Sequence, residues 1–231
     1  MSSEDSKDSG QPEAMHREAP GPGRFRVAIA AIDALNAEDP NAEAAKGEAV
    51  PAALIYGRRM SGWLLRLAPD ASEALRLAAR AQHIGRWKSP RGGYPSGRQG
   101  YLQWRGDLAR FHADTAAAIL AEAGYEAAII ERVGALLQKK RLKRDAEVQT
   151  LEDAACLVFL EHQFTEFSRH HDDEKIVDIV AKTLAKMSAR GRAEAAKLTP
   201  ALPADRRALV ERAMAGRSET GPADETDGQA V

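Results

Sequence analysis

Apolar residues recur at intervals of three and four in eight stretches of the chain, each bounded by residues that start or stop helices. Phe25, Ile29, Ile32 and Leu35 predict a first helix that ends before residues 36–41, where Pro40 disfavours helix at Asp39. A polar loop over 41–50 leads to Pro51, whose fixed φ suits a first helical position. Leu54, Met60, Trp63, Leu64 and Leu67 then predict a second helix over 51–67, stopped by Pro69. Asp70 and Ser72 both suit the N-cap of a third helix over 73–86, with Leu75, Ala78, Ala79 and Gln82 along one stripe. Gln82 and His83 therefore fall near its C-terminal end.

A long loop over 88–100 follows, punctuated by Pro90, Gly92, Gly93, Pro95, Gly97 and Gly100. Leu108, His112, Thr115 and Ile119 share one face of a fourth helix over 101–123. Ile129, Ile130, Val133, Leu136 and Leu137 mark a fifth over 126–140, running into a basic segment at 139–144 whose charges suit a helix C-terminus. The sixth, over 146–167, is the most apolar. Ile176, Ile179, Val180 and Leu184 mark a seventh over 173–190, and a short eighth covers 204–214. No segment alternates with period two over strand length, and none repeats at a fixed period. The expected fold is all-α: one compact domain over 23–200 and a short terminal helix over 201–217. The polar ends, 1–22 and 218–231, read as disordered tails.

Composition narrows the partners. The net charge of −1 excludes a generic polyanion-coating protein, so any phosphate or nucleic-acid binding must come from local clustering. The one cysteine, Cys156, excludes an intramolecular disulfide and lies in an apolar run, as a core thiol does. No apolar run approaches the roughly 18 residues needed to span a bilayer, and the acidic start lacks the features of a secretory signal. A soluble, cytoplasmic protein without a membrane partner is expected.

The local cluster exists. Between Arg80 and Arg105 lie five arginines and Lys88, without one Asp or Glu. Arg58, Arg80, Arg86, Arg91, Arg98 and Arg105, with Trp87, Tyr94, Tyr101 and Trp104, could give bidentate contacts to phosphate and faces on which a base stacks. A phosphorylated small molecule, a nucleotide or RNA is the partner this predicts. The other reading is a solvated loop whose aromatics fold back as anchors. The neighbouring carboxylates Glu152 and Asp153 are candidates to answer the cations.

Walker loops, HExxH, GxSxG and paired cysteines are absent. What remains is His83, His112 and Asp153, each on a different predicted helix beside an apolar stripe. Two imidazoles and a carboxylate would suit a divalent metal with positions open to water and phosphate oxygens. Alternatively, each is a satisfied core or rim group, with Asp153 pairing with an arginine such as Arg80. The cluster from Arg169 to Lys175, with His170, His171, Asp172 and Asp173, reads as an exposed turn and N-cap.

The segments YGRRMSGWL, RAQHIGRWKSPRGGYPSGRQGYLQWR, RFHADTA, LLQKKRLKRDAEVQTLEDAACLVFLE and KTLAKMS together resemble the domain of unknown function 4202, a family without an established activity. The resemblance runs from about residue 25 to 198. AARAQHIGR is also similar to a segment of HD-domain phosphohydrolases, all-α enzymes in which His and Asp residues hold divalent metals. On that similarity Gln82 stands at the family's histidine and His83 at its aspartate. His112 resembles a later histidine and Asp153 the final metal-binding aspartate. The similarity implies an HD-like fold and metal-dependent phosphohydrolysis, with His83, His112 and Asp153 as catalytic and metal-binding groups and Gln82 in support; Glu152, beside Asp153, is a further supporting candidate. The alternative is a non-catalytic module that captures a nucleotide or RNA on the arginine and aromatic loop.

Overall fold

In the computed structural model, which describes residues 22–45 and 47–219, ten α-helices carry most of the chain. The all-α expectation holds. They are α1 (Pro22–Asn36), α2 (Ala52–Leu67), α3 (Glu73–Arg80), α4 (Gly97–Glu122), α5 (Ala127–Leu137), α6 (Ala146–Val158), α7 (Phe164–Ser168), α8 (Asp173–Lys186), α9 (Ala189–Leu198) and α10 (Ala204–Glu219). One contiguous apolar cluster links them, from Ala28 and Ile32 through Met60, Leu77, Leu120, Leu136 and Leu157 to Ile176 and Val180. Helix α6 sits at its centre: every residue from Leu151 to Val158 is buried, so this helix meets protein on all sides. Against it pack α2, α3, α8 and α9. No helix among the described residues is long and apolar enough to cross a membrane. Apart from Pro22, Ser218 and Glu219, which are helical, the expected tails lie outside the described residues.

Local differences from the expected elements shape the site. Residues 42–51 form an antiparallel hairpin, β1 (Ala42–Ala45) with β2 (Glu48–Pro51), where a loop was expected. Its Ala- and Glu-rich strands are poor strand formers, so the pairing comes from context. Asp39 accepts hydrogen bonds from the N–H groups of Asn41 and Ala53, both at 2.9 Å, and Glu43 pairs with Arg59.

Helix α3 ends at Arg80, not near residue 86. From there the chain tightens: Gln82 N–H donates to the Ala79 carbonyl, Ile84 N–H to Ala81 and Arg86 N–H to His83, all three residues back. Gly85 then takes φ +63°, and a 3₁₀ turn (Arg86–Lys88) follows. Gln82 and His83 thus leave the helix on a tight turn. Gly57 in α2 lets that turn come close, because a Cβ there would sit 2.7 Å from the Arg80 carbonyl oxygen.

Helix α4 starts one turn earlier than expected, at Gly97. Helix α5 stops at Leu137, and the basic segment beyond it is no helix end: Lys139, Arg141 and Lys143 all take positive φ, at 51°, 63° and 69°. The expected sixth helix is broken by a π turn (Phe159–Gln163) between α6 and α7. The expected seventh is broken at Met187, whose extended backbone (ψ 148°) redirects the chain into α9.

Candidate functional site

A cavity of about 280 Å³ opens between α2, the turn after α3, α4, the end of α5, α6 and α8. Tyr56 comes from α2, Gln82, His83 and Arg86 from the tight turn, Arg105 and His112 from α4, Lys139 from beyond α5, Glu152 and Cys156 from α6, and Thr183 and Lys186 from α8. The two histidines expected to meet do meet, with ring centroids 6.1 Å apart.

His83 stacks flat on Tyr56, centroids 3.7 Å apart and planes 12° from parallel. Its Nε2 lies 3.5 Å from the Arg86 guanidinium. Since that guanidinium can only donate, Nε2 accepts and the ring proton belongs on Nδ1. Burial, then the charges of Arg86 and Lys139, push its pKa well below the usual histidine value. His112 has its Nδ1 2.7 Å from the Ile84 carbonyl oxygen. A carbonyl can only accept, so here too the proton is on Nδ1 and Nε2 carries a lone pair. Burial lowers its pKa to about 4, outweighing that carbonyl's pull in the other direction. Both rings are neutral at physiological pH. The Cys156 thiol and the Tyr56 phenol are each pushed up by burial, so neither ionises there.

Among the residues that line the cavity, cations outnumber carboxylates. Glu152 is its one carboxylate; burial pushes it up, but Lys139, in contact with its Oε2, outweighs that and holds it below the usual range. Arg86, Arg105 and Lys186 add three further cations. Arg86 stacks 5.0 Å over Trp104 and makes no ion pair among the described residues. Besides Glu152 Oε2, which meets Lys139 in an ion pair, three buried polar atoms on the cavity's residues have no hydrogen-bond partner among the described residues: the Tyr56 hydroxyl, Gln82 Oε1 and His112 Nε2.

Asp153, the third residue expected here, is not in the cavity. Its carboxylate turns to the α8–α9 corner, where it accepts from Gln149 Nε2 at 3.0 Å, Ser188 N–H at 2.8 Å and the Ser188 hydroxyl. That set engages both of its oxygens with neutral donors. His83, His112 and Asp153 therefore do not form a ligand set, and among the described residues no group of three or more His, Cys, Asp or Glu is placed to hold a metal ion. With Asp153 engaged elsewhere, Glu152 tied to Lys139 and Arg86 against His83, the residues present do not fit a divalent cation.

Every residue that lines the cavity lies within the span that matches a family. The chain belongs to the family described as Domain of unknown function (DUF4202). The match covers residues 26–210. No curated protein matches the chain, and no solved structure does.

The rest of the cationic constellation in this DUF4202 chain is dispersed. Arg80 is not a cavity group: it forms a bidentate pair with Asp33, both contacts 2.6 Å, which fastens α3 to α1. Arg91 donates to the carbonyls of Tyr94 and Pro95 and braces its own loop. Arg58 and Arg98 are exposed. Trp104 is buried and donates to the Ser89 carbonyl at 3.0 Å, with Tyr101 5.9 Å away, so these rings anchor the loop. Trp87 lines a second cavity of about 500 Å³ that shares Tyr56, His83 and Arg86 with the first, and Tyr94 is half-buried outside both. His170 and His171 are exposed in a turn where Asp172 caps α8, as expected of an N-cap.

Sequence reasoning missed Tyr56, Lys139 and Lys186 as cavity groups. Tyr56 stands in the sequence only as the first residue of the family-like segment YGRRMSGWL. Lys139 reads as one charge in a basic run, and its ion pair with Glu152 is what places it at the cavity.

Proposed function

We propose that this chain binds a small phosphate ester in the cavity between α2, α4, α6 and α8. The single observation behind this reading is Arg86, a guanidinium in a cavity wall with no carboxylate partner among the described residues, beside Arg105 and Lys186. Burying an unanswered charge costs several kcal/mol, so the cavity favours an anion that enters and restores neutrality. A phosphate takes bidentate contacts from a guanidinium, and the Tyr56 hydroxyl, kept protonated by burial, is a further donor.

Binding fits the histidines better than hydrolysis. A general base works best with a pKa near the operating pH, whereas His112 at about 4 holds a proton poorly. The phosphohydrolase resemblance implies chemistry through a metal, and that chemistry needs a ligand set which Asp153, at the α8–α9 corner, does not join. A neutral, fixed imidazole instead serves as a hydrogen-bond acceptor.

Titration calorimetry with propyl phosphate, in chelator, tests the reading. Binding is expected with unchanged affinity when the chelator is removed, and Arg86→Gln is expected to weaken it at least tenfold. No binding by this or any other small phosphate ester, or equal binding by the Arg86→Gln protein, would overturn the proposal. Retention of RNA that weakens in Arg98→Ala but not in Arg86→Gln would move the site to the loop.

A further inference from the structure

The ligand's phosphate, if the cavity binds one as proposed, answers the cations, but it leaves two groups in the same cavity without partners. His112 Nε2 carries a lone pair, because the ring's proton is fixed on Nδ1 by the Ile84 carbonyl at 2.7 Å. That nitrogen is buried and has no donor among the described residues. The same is true of Gln82 Oε1, on the turn that also carries His83. A buried acceptor without a donor costs about 1–3 kcal/mol, and native cores rarely leave one. Here two occur in one cavity.

Phosphate cannot satisfy them, since its oxygens at neutral pH are themselves acceptors. A donor carried by the rest of the ligand would supply the missing partner in place of water. An ammonium would have to enter beside Arg86, Arg105 and Lys186, and their charges oppose it. A hydroxyl meets no such opposition. The cavity, at about 280 Å³, lies at the small end of ligand pockets, which suits a compact body.

We infer that the ligand is a phosphorylated polyol or sugar, its phosphate held by Arg86, Arg105 and Lys186 and its hydroxyls donating to His112 Nε2 and Gln82 Oε1. Specificity then comes from the acceptor pair and the bulk of the affinity from the cations. A site built to pair a hydroxyl discriminates strongly against an analogue that lacks one, because its own polar groups stay unpaired.

Calorimetry can separate the two contributions, with ribose 5-phosphate and glycerol 3-phosphate set against propyl phosphate, which has the same charged group and no hydroxyl. The hydroxylated esters are expected to bind at least tenfold more tightly. His112→Phe is expected to remove that advantage, so that the three esters bind alike, and His112→Gln, which keeps an acceptor, to restore part of it. Should His112→Phe fail to fold, Gln82→Leu carries the same expectation. Equal affinity of all three esters for the unmodified chain overturns the sugar or polyol assignment and leaves the phosphate site standing. Absence of binding by every ester overturns both.

Discussion

Glu152 and Asp153 are consecutive carboxylates on α6, almost equally buried at 6% and 4% exposure, and they serve opposite kinds of region. Asp153 closes the α8–α9 corner, where three neutral donors converge on it and Ser188 in turn accepts from Gly191 N–H at 3.0 Å to cap α9. Glu152 faces the cavity, where one lysine meets it and three more cations, two neutral imidazoles and several unpartnered atoms surround it. The corner is complete within the chain. Among the described residues the cavity is not, and the proposed binding site rests on that difference. Burial alone would have ranked the two aspects of α6 alike.

The largest effect separating them should come from Asp153→Ala. It leaves the Ser188 N–H, the Ser188 hydroxyl and the Gln149 amide without their acceptor, and removes a cluster of charge-assisted bonds. Urea denaturation is expected to show a loss of about 3 kcal/mol, while affinity for propyl phosphate stays unchanged. Gly191→Ala attacks the same corner from the facing helix, since its Cβ would stand 2.6 Å from the Asp153 carboxyl carbon. Its loss should be of the overpacking kind, about 1–3 kcal/mol. If either variant abolished phosphate binding at full stability, the division between corner and cavity would fall.

The next effect is a pH dependence that the cavity histidines share with His162, whose pKa burial also lowers. His112 titrates at about 4 in the folded chain and near the ordinary 6.5 when unfolded. Between those values the unfolded chain binds the proton and the folded chain does not, so stability is complete above pH 6.5 and falls as pH drops toward 4. His112 alone should cost about 2 kcal/mol by pH 5, with His83 adding in the same direction. Glu152, held below the usual carboxyl range, acts only at lower pH and cannot imitate this. Denaturation of the His112→Phe protein is expected to show a shallower slope between pH 6.5 and 5. An identical slope would mean that His112 does not set the acid sensitivity of the fold.

Much of this architecture was legible along the chain, because the period of 3.6 is carried by side chains such as Ile29, Leu64, Leu136 and Ile179 that do reach the core. Breaks in the helices were harder to read. Where α3 tightens after Arg80, where α6 widens into a π turn and where Met187 extends, the apolar period runs on without interruption, and tertiary contacts decide the backbone. The meeting of His83 and His112 came from resemblance, since spacing on separate helices carries no information about convergence. Asp153 was misplaced for a related reason: it and Glu152 both border the apolar run of α6, and a turn of about 100° between them sends one to each region. No pattern along α6 says which side holds the cavity.

The smallest effect is also the most discriminating. Glu152→Gln removes the cavity's one negative charge and leaves Lys139 beside a neutral amide. Stability should fall only modestly, by about 1 kcal/mol, because Lys139 is partly exposed and water can screen the ammonium it leaves. Phosphate affinity should rise, because Lys139 is released from its carboxylate and joins Arg86, Arg105 and Lys186 in answering an anion; the expected gain is about three- to tenfold, equal to about 1 kcal/mol. Asp153→Asn, one residue away and as deeply buried, should leave that affinity where it was. A gain in the first variant and none in the second would tie anion binding to the field of the cavity rather than to the charge of the protein as a whole, whereas equal gains would mean that net charge, and not position, governs the site.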